Sequence, residues 1–573
     1  MTVFLCALYL VRYVGPCCRN RSILIRIVPS GNEHGPPFVS IISSYLTEYT
    51  TTWQAILVTL LCLYLCANLS SLIGLDANPT SLNTHYSPSF FRATWITTAL
   101  DAGFWTAMRI KPYWLRDIAS VTFTVYYLFA TDQADEKVRR IRATLTLEHI
   151  RVSWNKATTP YLSAIARMLR PRLTGYPPRA LQIARPAQSR YVEPINAWLY
   201  FDGPPASLSE QTCIVLDFPG GGFVAMGPRN HDDRLLAWAG KLKIPVVSLD
   251  YKKAPEHPYP YALHEGFDAY RSIIASNGRC LGLRGERCPR IVVAGDSAGG
   301  NLAVGMTLMV LGSRGMSRPQ GVFLAYPCLN VNIESWMSEE KVSLIRDGSL
   351  KEKMELCYNR TPFPSPSPSA HSDDDDDLPE PDPGYSNSHL AASSVVTHLH
   401  DRILSPELMR ALIILYINPC HPPALSTDFL LSPVLAPESL LAEFPRTRFL
   451  TGECDPLVDD TVFFAGRLQR AKMRQRRGLG SRMGSKGGVS DGSASEQVDV
   501  EVSLVPGVSH GFFQMVGFFP EGWDWVGRSA RWIGGFLGRE CIDGNGLSPK
   551  SESLDESLVR RRVGSLVEGL MHT

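Results

Sequence analysis

The sequence predicts an α/β fold with a mostly parallel central sheet that is covered by helices on both faces. From about residue 197, short runs rich in Val, Ile, Leu and Phe alternate with helical stretches such as 232–243 and 263–275. The runs are almost continuously apolar, as expected of strands that are buried on both faces. The predicted strands cover residues 198–201, 213–218, 245–251, 291–294, 321–326, 447–451 and 500–505.

The composition is that of a globular protein with more than one structural region. The chain has 573 residues, of which 45% are hydrophobic and 20% are charged, and it is too long for one ordinary domain. The formal net charge is only +2, so nothing points to nucleic acid as a partner. The thirteen cysteines include no Cys-x-x-Cys pair, so we expect neither a zinc site nor a redox motif.

The N-terminal region, residues 1–80, contains a long run without charge. No charged residue occurs between Glu48 and Asp76, and residues 53–75 read WQAILVTLLCLYLCANLSSLIGL. A membrane-spanning helix needs about 20 mainly apolar residues, so we predict a single transmembrane helix at 53–75. A buried or surface-lying helix is the alternative, because polar residues interrupt the second half of the run. Basic residues are balanced on its two sides and set no orientation.

The remaining regions differ in composition. Residues 81–193 are rich in aromatic and apolar residues, and we expect a helical cap segment there. The main α/β domain is expected at 194–540. It contains a Pro-, Ser- and Asp-rich segment at 361–384 and a Gly- and Ser-rich flexible loop at 478–496, and a polar tail follows at 541–573.

The strongest motif is IVVAGDSAGGNLAV, in which an apolar run ends and a helix of small residues begins. It contains Gly-x-Ser-x-Gly around Ser297, in the strand–turn–helix setting of a serine nucleophile. The residues two before and two after the serine must be small, because neighbouring backbone passes close to so sharp a turn. The turn also places Ser297 at a helix N-terminus, whose dipole stabilises negative charge. Ser297 is therefore the candidate nucleophile.

A glycine-rich segment, PGGGF, follows the predicted strand at 213–218. Glycines in this position allow backbone N–H groups to turn toward a bound carbonyl oxygen, because no Cβ blocks the approach. Donors of this kind form an oxyanion hole. A simple flexible turn is the alternative, and the serine motif downstream favours the oxyanion loop.

Two further loop residues complete a candidate Ser–His–Asp set. Asp455, in RFLTGECDPLVDD, and His510, in SLVPGVSHGFF, each come directly after a predicted strand, where open α/β sheets bind ligands. His510 can take the proton of the serine, and Asp455 can fix the tautomer of the imidazole. Glu453, Asp459 and Asp460 are rival acids nearby.

Five segments in order resemble the hormone-sensitive-lipase-like family of α/β hydrolases. PGGGF resembles its HGGGF signature, DYKKAPEHPYPYAL its Tyr-Arg-x-Ala-Pro-Glu-His-Pro-Phe-Pro segment, and GDSAGGNL its serine turn, while LTGECDPLVDD and SHGF resemble its acid and histidine loops. These matches extend over about half of the chain. Residues 101–161 resemble the N-terminal extension of fungal, membrane-associated members, which contributes to a cap over the active site. Residues 330–430 stand where the family inserts cap elements.

The resemblance implies the α/β-hydrolase fold and carboxylic-ester hydrolysis through a covalent acyl-serine, with no cofactor and no metal. It implies that the oxyanion donors are the N–H groups of Gly221, Gly222 and Ala298. An apolar ester is the expected substrate and membrane lipid an expected partner. The expected location is the endoplasmic reticulum membrane, with a single pass and with no indication of sidedness. No protein partner is indicated.

One position departs from the family pattern. Pro219 stands where the family has the first histidine of its glycine motif, which is thought to orient the glycine loop. Proline fixes φ near −65° and has no N–H, so it can brace the loop only by another route. Binding of a ligand without catalysis, as in the plant gibberellin receptor of this fold, therefore stays open as an alternative. Hydrolysis of an amide or of an acetyl ester is a second alternative.

Overall fold

A computed structural model describes residues 86–108, 110–143, 146–331, 394, 401–417, 423–483 and 499–538. All of them lie in the second of the two units into which the chain divides, which begins at His85. The transmembrane helix predicted at 53–75, the segment 361–384 and the tail 541–573 fall outside the described residues. Within the described ranges, no helix combines the length and the apolar character needed to cross a bilayer.

Eight strands form one mostly parallel sheet in the order β1-β2-β4-β3-β5-β6-β7-β8. The strands are β1 Arg179–Ile183, β2 Ile195–Tyr200, β3 Cys213–Phe218, β4 Val246–Leu249, β5 Arg290–Asp296, β6 Gly321–Ala325, β7 Thr447–Gly452 and β8 Val500–Val505. Strands β3 to β8 pair in parallel, whereas β2 is antiparallel to both β1 and β4. The predicted α/β class with a mostly parallel sheet is confirmed.

Strand β1 is the one strand of this sheet that was not predicted. Its residues RALQI are mostly exposed, and only Ile183 is buried. An edge strand with one contacting neighbour buries little apolar surface, so its sequence lacks the apolar run that marks the other strands.

In the described ranges, five α-helices precede the sheet and eight follow its first strands. The five are α1 Pro88–Ala107, α2 Tyr113–Phe129, α3 Thr131–Ala143, α4 Leu147–Trp154 and α5 Pro160–Leu169. The others are α6 Pro205–Ser209, α7 Asp232–Leu242, α8 Tyr261–Ala275, α9 Ala298–Gly312, α10 Pro406–Tyr416, α11 Glu438–Glu443, α12 Val458–Met483 and α13 Gly522–Phe536. The loop predicted at 478–496 begins too early, because α12 continues to Met483. The preceding run RQRR favours continuation of the helix. Residues 484–496 lie outside the described part.

Helices cover both faces of the sheet. Phe323 of β6 contacts Trp238 of α7 and Trp532 of α13 on one face. The next residue, Leu324, belongs instead to the buried cluster that includes Leu302 of α9. Successive residues of a strand point to opposite faces, so the central strands are apolar throughout because both faces are buried.

Candidate active site

Ser297 lies in the sharp turn between β5 and α9. Its backbone has φ 54° and ψ −123°, a conformation that is costly for a residue with a Cβ. A Cβ on Gly295 would lie 2.4 Å from the carbonyl oxygen of Gly299, and a Cβ on Gly299 would lie 2.0 Å from that of Phe218. Both positions therefore require glycine, for the steric reason that the motif predicts.

The structure brings the side chains of Ser297, His510 and Asp455 into one hydrogen-bonded chain. His510 Nε2 lies 2.8 Å from Ser297 Oγ, and His510 Nδ1 lies 3.0 Å from Asp455 Oδ2. Asp455 Oδ1 also accepts the backbone N–H of Leu457 at 2.8 Å, which fixes the carboxylate. Asp455 and His510 are both buried. They meet the serine because they follow β7 and β8, whose carboxyl ends lie at the same edge of the sheet as that of β5.

The surroundings of His510 favour its charged form. Burial opposes the charge, but the negative charge of Asp455 and its hydrogen bond outweigh burial, so that the pKa of His510 is raised. The ring of Tyr326 packs edge-on against the imidazole, with the ring centroids 4.9 Å apart. An imidazole held in this way can accept a proton from the Ser297 hydroxyl, and the carboxylate behind it can stabilise the resulting imidazolium.

The three rival acids make other contacts. Asp460 is buried and accepts two backbone N–H groups, each at 2.9 Å, and burial raises its pKa to about 7. Asp459 accepts the backbone N–H of Ser394 at 2.8 Å. Glu453 accepts that of Gly507 at 3.4 Å. Among the residues that the structure describes, no group of three or more His, Cys, Asp and Glu side chains could hold a metal ion.

The glycine loop lies beside the serine turn, because Phe218 at the end of β3 pairs with Gly295 of β5. Gly221 has φ 126° and Gly222 has φ 59°, values that L side chains rarely adopt. Ala298 is the first residue of α9, and a helix leaves its first N–H groups without an internal partner. The three predicted donors therefore lie on the glycine loop and at the start of α9, which are adjacent to each other.

Pro219 is held by a contact that does not involve its own side chain. The hydroxyl of Tyr251 donates to the carbonyl oxygen of Pro219 at 2.9 Å. The next N–H, of Gly220, donates to Asp296 Oδ1 at 2.9 Å, and Arg234 Nη2 donates to the same oxygen at 2.9 Å. Tyr251 lies in the segment DYKKAPEHPYPYAL that resembles the family, whereas neither Asp296 nor Arg234 was singled out from the sequence. The position of Asp296 inside the serine motif was the available signal.

A buried charge network lies beneath the loop. Arg234 pairs with Asp217 at 3.2 Å as well as with Asp296, and the hydroxyl of Ser248 donates to Asp217 at 2.7 Å. Burial raises the pKa of Asp217 to about 6 and lowers that of His231 to about 4. Loss of Arg234 would leave two carboxylates buried without their cation, which is strongly destabilising.

Two helices from outside the sheet cover the glycine loop. The ring of Tyr416, in α10, stacks on that of Phe223 with centroids 3.7 Å apart, and Leu412 of the same helix lies against Gly222. From the other side, Arg151 of α4 donates to the carbonyl oxygen of Val224 at 3.0 Å. Helix α4 of the N-terminal segment and helix α10, between β6 and β7, thus both contact this loop.

Asp401 links the segment before α10 to the histidine loop. It is buried, and it accepts hydrogen bonds from the hydroxyls of Tyr86 and Ser509 and from the backbone N–H groups of Ile403 and Leu404. Ser509 directly precedes His510 in sequence. Asp401 was not predictable from the sequence, because its side-chain partners are distant in sequence and no motif surrounds it.

A pocket of about 620 Å³ adjoins the far side of the glycine loop, and its lining includes Arg151, Met226 and Lys253. Lys253 Nζ is buried and has no hydrogen-bond partner in the described part of the chain. It lies 3.2 Å from the centre of the Tyr251 ring. Burial lowers the pKa of Lys253 to about 7.

Comparisons with known proteins found similarity to α/β hydrolases in part of the chain. A family model described as alpha/beta hydrolase fold matches residues 215–380. Hormone-sensitive lipase of Ictidomys tridecemlineatus is 39% identical over 143 residues, which cover 24% of this chain and 18% of that protein. Hormone-sensitive lipase of Homo sapiens is 42% identical over 123 residues, covering 22% and 11% respectively. Esterase LipI of Mycobacterium tuberculosis is 39% identical over 137 residues, covering 23% and 40%.

The chain therefore spans from 11% to 40% of the length of these curated relatives. Among solved structures, an esterase of Pyrobaculum calidifontis has a TM-score of 0.46 and 22% identity, covering 69% of this chain and 94% of that chain. A structural likeness at that level supports no argument about function. By sequence, residues 215–380 match the α/β-hydrolase family model, and 22–24% of the chain is similar to hormone-sensitive lipases.

Proposed function

We propose that this protein is a serine carboxylic-ester hydrolase that acts on apolar esters. The observation that carries the proposal is the 2.8 Å contact between Ser297 Oγ and His510 Nε2, with Asp455 hydrogen-bonded to the opposite nitrogen of the same ring. A serine hydroxyl paired in this way becomes a nucleophile without a cofactor. The curated relatives, named as lipases and esterases, support the same class of reaction.

The first half of the reaction transfers the acyl group. His510 Nε2 accepts the proton as Ser297 Oγ bonds to the ester carbonyl carbon, and Asp455 stabilises the imidazolium. The carbonyl oxygen becomes an oxyanion that accepts hydrogen bonds from the loop of Gly221 and Gly222 and from the N–H of Ala298. Removing one such donor typically costs about 2.7–4 kcal/mol of transition-state stabilisation. The ester C–O bond then breaks, and the alcohol leaves with the proton from His510.

The second half returns the enzyme to its starting state. His510, neutral again, accepts a proton from water as the water oxygen bonds to the acyl carbon. The bond to Ser297 Oγ breaks, the serine recovers its proton, and the carboxylic acid is released. The relatives named as lipases support an apolar acyl or alcohol group over a charged one.

A fluorophosphonate probe tests the proposal directly, because it phosphonylates only an activated serine. We expect the probe to label the full chain at Ser297 and not to label Ser297→Ala. We also expect the unlabelled wild-type chain to hydrolyse soluble p-nitrophenyl esters. A full chain that is folded but neither labelled nor active would favour the alternative of ligand binding without catalysis. Preference for an anilide over the matching ester would favour the amide-hydrolase alternative.

Membrane attachment is a separate part of the proposal. The charge-free run at 53–75 is long enough for a single span, and an apolar ester is most concentrated in lipid. We propose the endoplasmic reticulum membrane as its location, because the sequence resembles fungal, membrane-associated members of the family.

A further inference from the structure

Helix α2 has an apolar face that no described residue covers. Twelve large hydrophobic side chains are exposed in the described ranges, and eight of them belong to this helix. Residues spaced three and four apart share one helix face, so five of the eight form a continuous stripe along α2. The stripe consists of Trp114, Ile118, Val121, Val125 and Phe129, which are 43–68% exposed.

The side of α2 that packs against the protein is more polar than the exposed stripe, although the partly buried Phe123 and Leu128 contribute to it. Ser120, Thr124 and Tyr127 are buried. A Cβ on Gly103 of α1 would come within 2.3 Å of Thr124 Oγ1, and Tyr127 Oη lies 3.0 Å from Thr106 Oγ1. A surface helix in water buries its apolar stripe. Helices in lipid instead place small and polar residues between helices, and α2 follows this second pattern.

The N-terminal end of α2 carries the side chains that favour a lipid–water interface. Tyr113 is 73% exposed, and the guanidinium of Arg116 lies 4.8 Å from the centre of its ring. Tyrosine and tryptophan partition to the level of lipid headgroups. Arg116 pairs with the neighbouring Asp117 at 3.9 Å, so the exposed Lys111 supplies the cation that attracts anionic headgroups, whereas residues 118–131 contain no charge. This arrangement of charge fits an anionic lipid surface better than an uncharged protein surface.

The dimensions of α2 fit a helix that lies on a bilayer. Its 17 residues correspond to about 26 Å at about 1.5 Å per residue, which is shorter than the bilayer core of about 30 Å. One side is attached to α1 along its length. The helix can therefore present its stripe to acyl chains only from the surface.

We propose that α2 docks on a lipid bilayer, with its apolar stripe toward the acyl chains and with Tyr113 and Trp114 at the headgroups. This contact is distinct from the span proposed at 53–75.

Docking through α2 would also affect how the substrate reaches the ester site. Helix α1, on which α2 is packed, follows Tyr86, whose hydroxyl shares Asp401 with Ser509 beside His510. Docking would bring the ester site toward the lipid that contains its substrate, a consequence that rests on the proposed hydrolase function.

Photo-cross-linking in the full chain tests what covers the stripe. The photoreactive residue p-benzoylphenylalanine replaces Val121, and in a control it replaces Val192, which is 97% exposed and lies outside α2. The protein is mixed with vesicles of phosphatidylcholine and phosphatidylserine and is irradiated. We expect a lipid adduct at position 121 and not at position 192. An intrachain product joined to residues 1–85, a product of doubled mass, or no lipid adduct at position 121 would each overturn the proposal.

Glutamate substitutions in the apolar stripe provide a second test of lipid docking. Ile118→Glu with Val125→Glu, in the chain with the probe at position 121, should lower the lipid-adduct yield at least about tenfold, because two apolar side chains no longer enter the bilayer. The matched control is Tyr176→Glu with Val192→Glu, two exposed positions outside α2, and it should leave the yield unchanged. Hydrolysis of a soluble short-chain ester should be the same in all variants. An unchanged adduct yield would refute lipid docking, whereas a chain with no ester hydrolysis at all would refute only the proposed function.

Discussion

The hydroxyl of Tyr251 donates to the carbonyl oxygen of Pro219 at 2.9 Å, and it holds the first residue of the glycine loop where the family pattern has a histidine. Tyr251 is itself buried, so the contact is shielded from water. The glycine loop thus has a fixed position although Pro219 offers no side-chain hydrogen bond of its own.

Tyr251→Phe should lower kcat about threefold to tenfold with little change in KM. A hydrogen bond of this kind contributes about 0.5–1.5 kcal/mol, and here it orients donors that act mainly on the transition state. Steady-state kinetics on a soluble ester measures both constants. Tyr270→Phe is the matched control, since it also loses a buried hydroxyl bonded to a backbone carbonyl, that of Ser317. Equal losses of kcat in both variants would mean that the Tyr251 effect is only one of stability.

Ser297→Ala and His510→Ala should each reduce kcat at least about 10⁴-fold while leaving the melting temperature within a few degrees of the wild type. Ser297 and His510 act in the same step, so removing either one abolishes the contribution of both. The double variant should therefore be about as slow as either single variant. Single-turnover assays and thermal melts measure these quantities. A double variant far slower than both singles would show that the two residues act independently.

Asp455→Asn should reduce kcat by about 10⁴-fold and should shift the acid limb of the pH profile. The wild-type rate should rise with pH through the raised pKa of His510, because only the neutral imidazole can accept the serine proton. Replacing the carboxylate removes the main group that raises this pKa, so the limb should move to lower pH. The control is Asp459→Asn, which should leave the profile in place. If Asp459→Asn were the more damaging change, the assignment of the acid would be wrong.

Lys253→Met should increase the free energy of unfolding at pH 7 by about 1–3 kcal/mol, because it removes a buried amine that has no hydrogen bond. The folded-state pKa of about 7 lies below the ordinary value for lysine, about 10.4. Between these values the unfolded chain binds the extra proton, so wild-type stability should rise with pH. The methionine variant should lack this slope in urea titrations. Lys252→Met, which alters a partly exposed neighbour, should retain it.

The full chain should remain with membranes during extraction with alkaline carbonate if residues 53–75 form a span. A span stays in the bilayer because its backbone and apolar side chains cannot be exposed to water without a large cost. Immunoblotting of the pellet and the supernatant measures the outcome. A soluble secretory-pathway protein is the control for complete release. Recovery of the full chain in the supernatant would contradict a span, and it would leave the surface contact through α2 as the remaining membrane attachment.

Local sequence predicted the parts of this molecule that depend on neighbours in sequence. The serine turn was predictable because Gly295 and Gly299 are required within four positions of each other. The central strands were predictable because burial on both faces gives an apolar run. Tyr251 and Asp401 were not predictable. Tyr251 bonds to Pro219 and Asp401 to Tyr86, each more than thirty positions away, and a lone tyrosine or aspartate has many possible roles.

The apolar character of α2 was visible in sequence, but its orientation was not. An apolar stripe in a helix ordinarily predicts the side that is buried. Here the contact of Thr124 with Gly103 turns that side outward. Such an inversion depends on close packing between two helices and therefore needs the three-dimensional structure.

The buried carboxylate of Asp401 also limits how far the chain can be shortened for crystallisation or expression. A fragment that begins before Tyr86 keeps the phenol that satisfies one oxygen of this group. A fragment that begins even a few residues later leaves the negative charge with fewer donors inside the protein, next to the loop of the histidine. Such a fragment would retain Ser297, His510 and Asp455, but the loss of this donor would displace the imidazole. The first residue of a minimal enzyme is therefore set by the hydroxyl of Tyr86 and not by the boundary of the sheet.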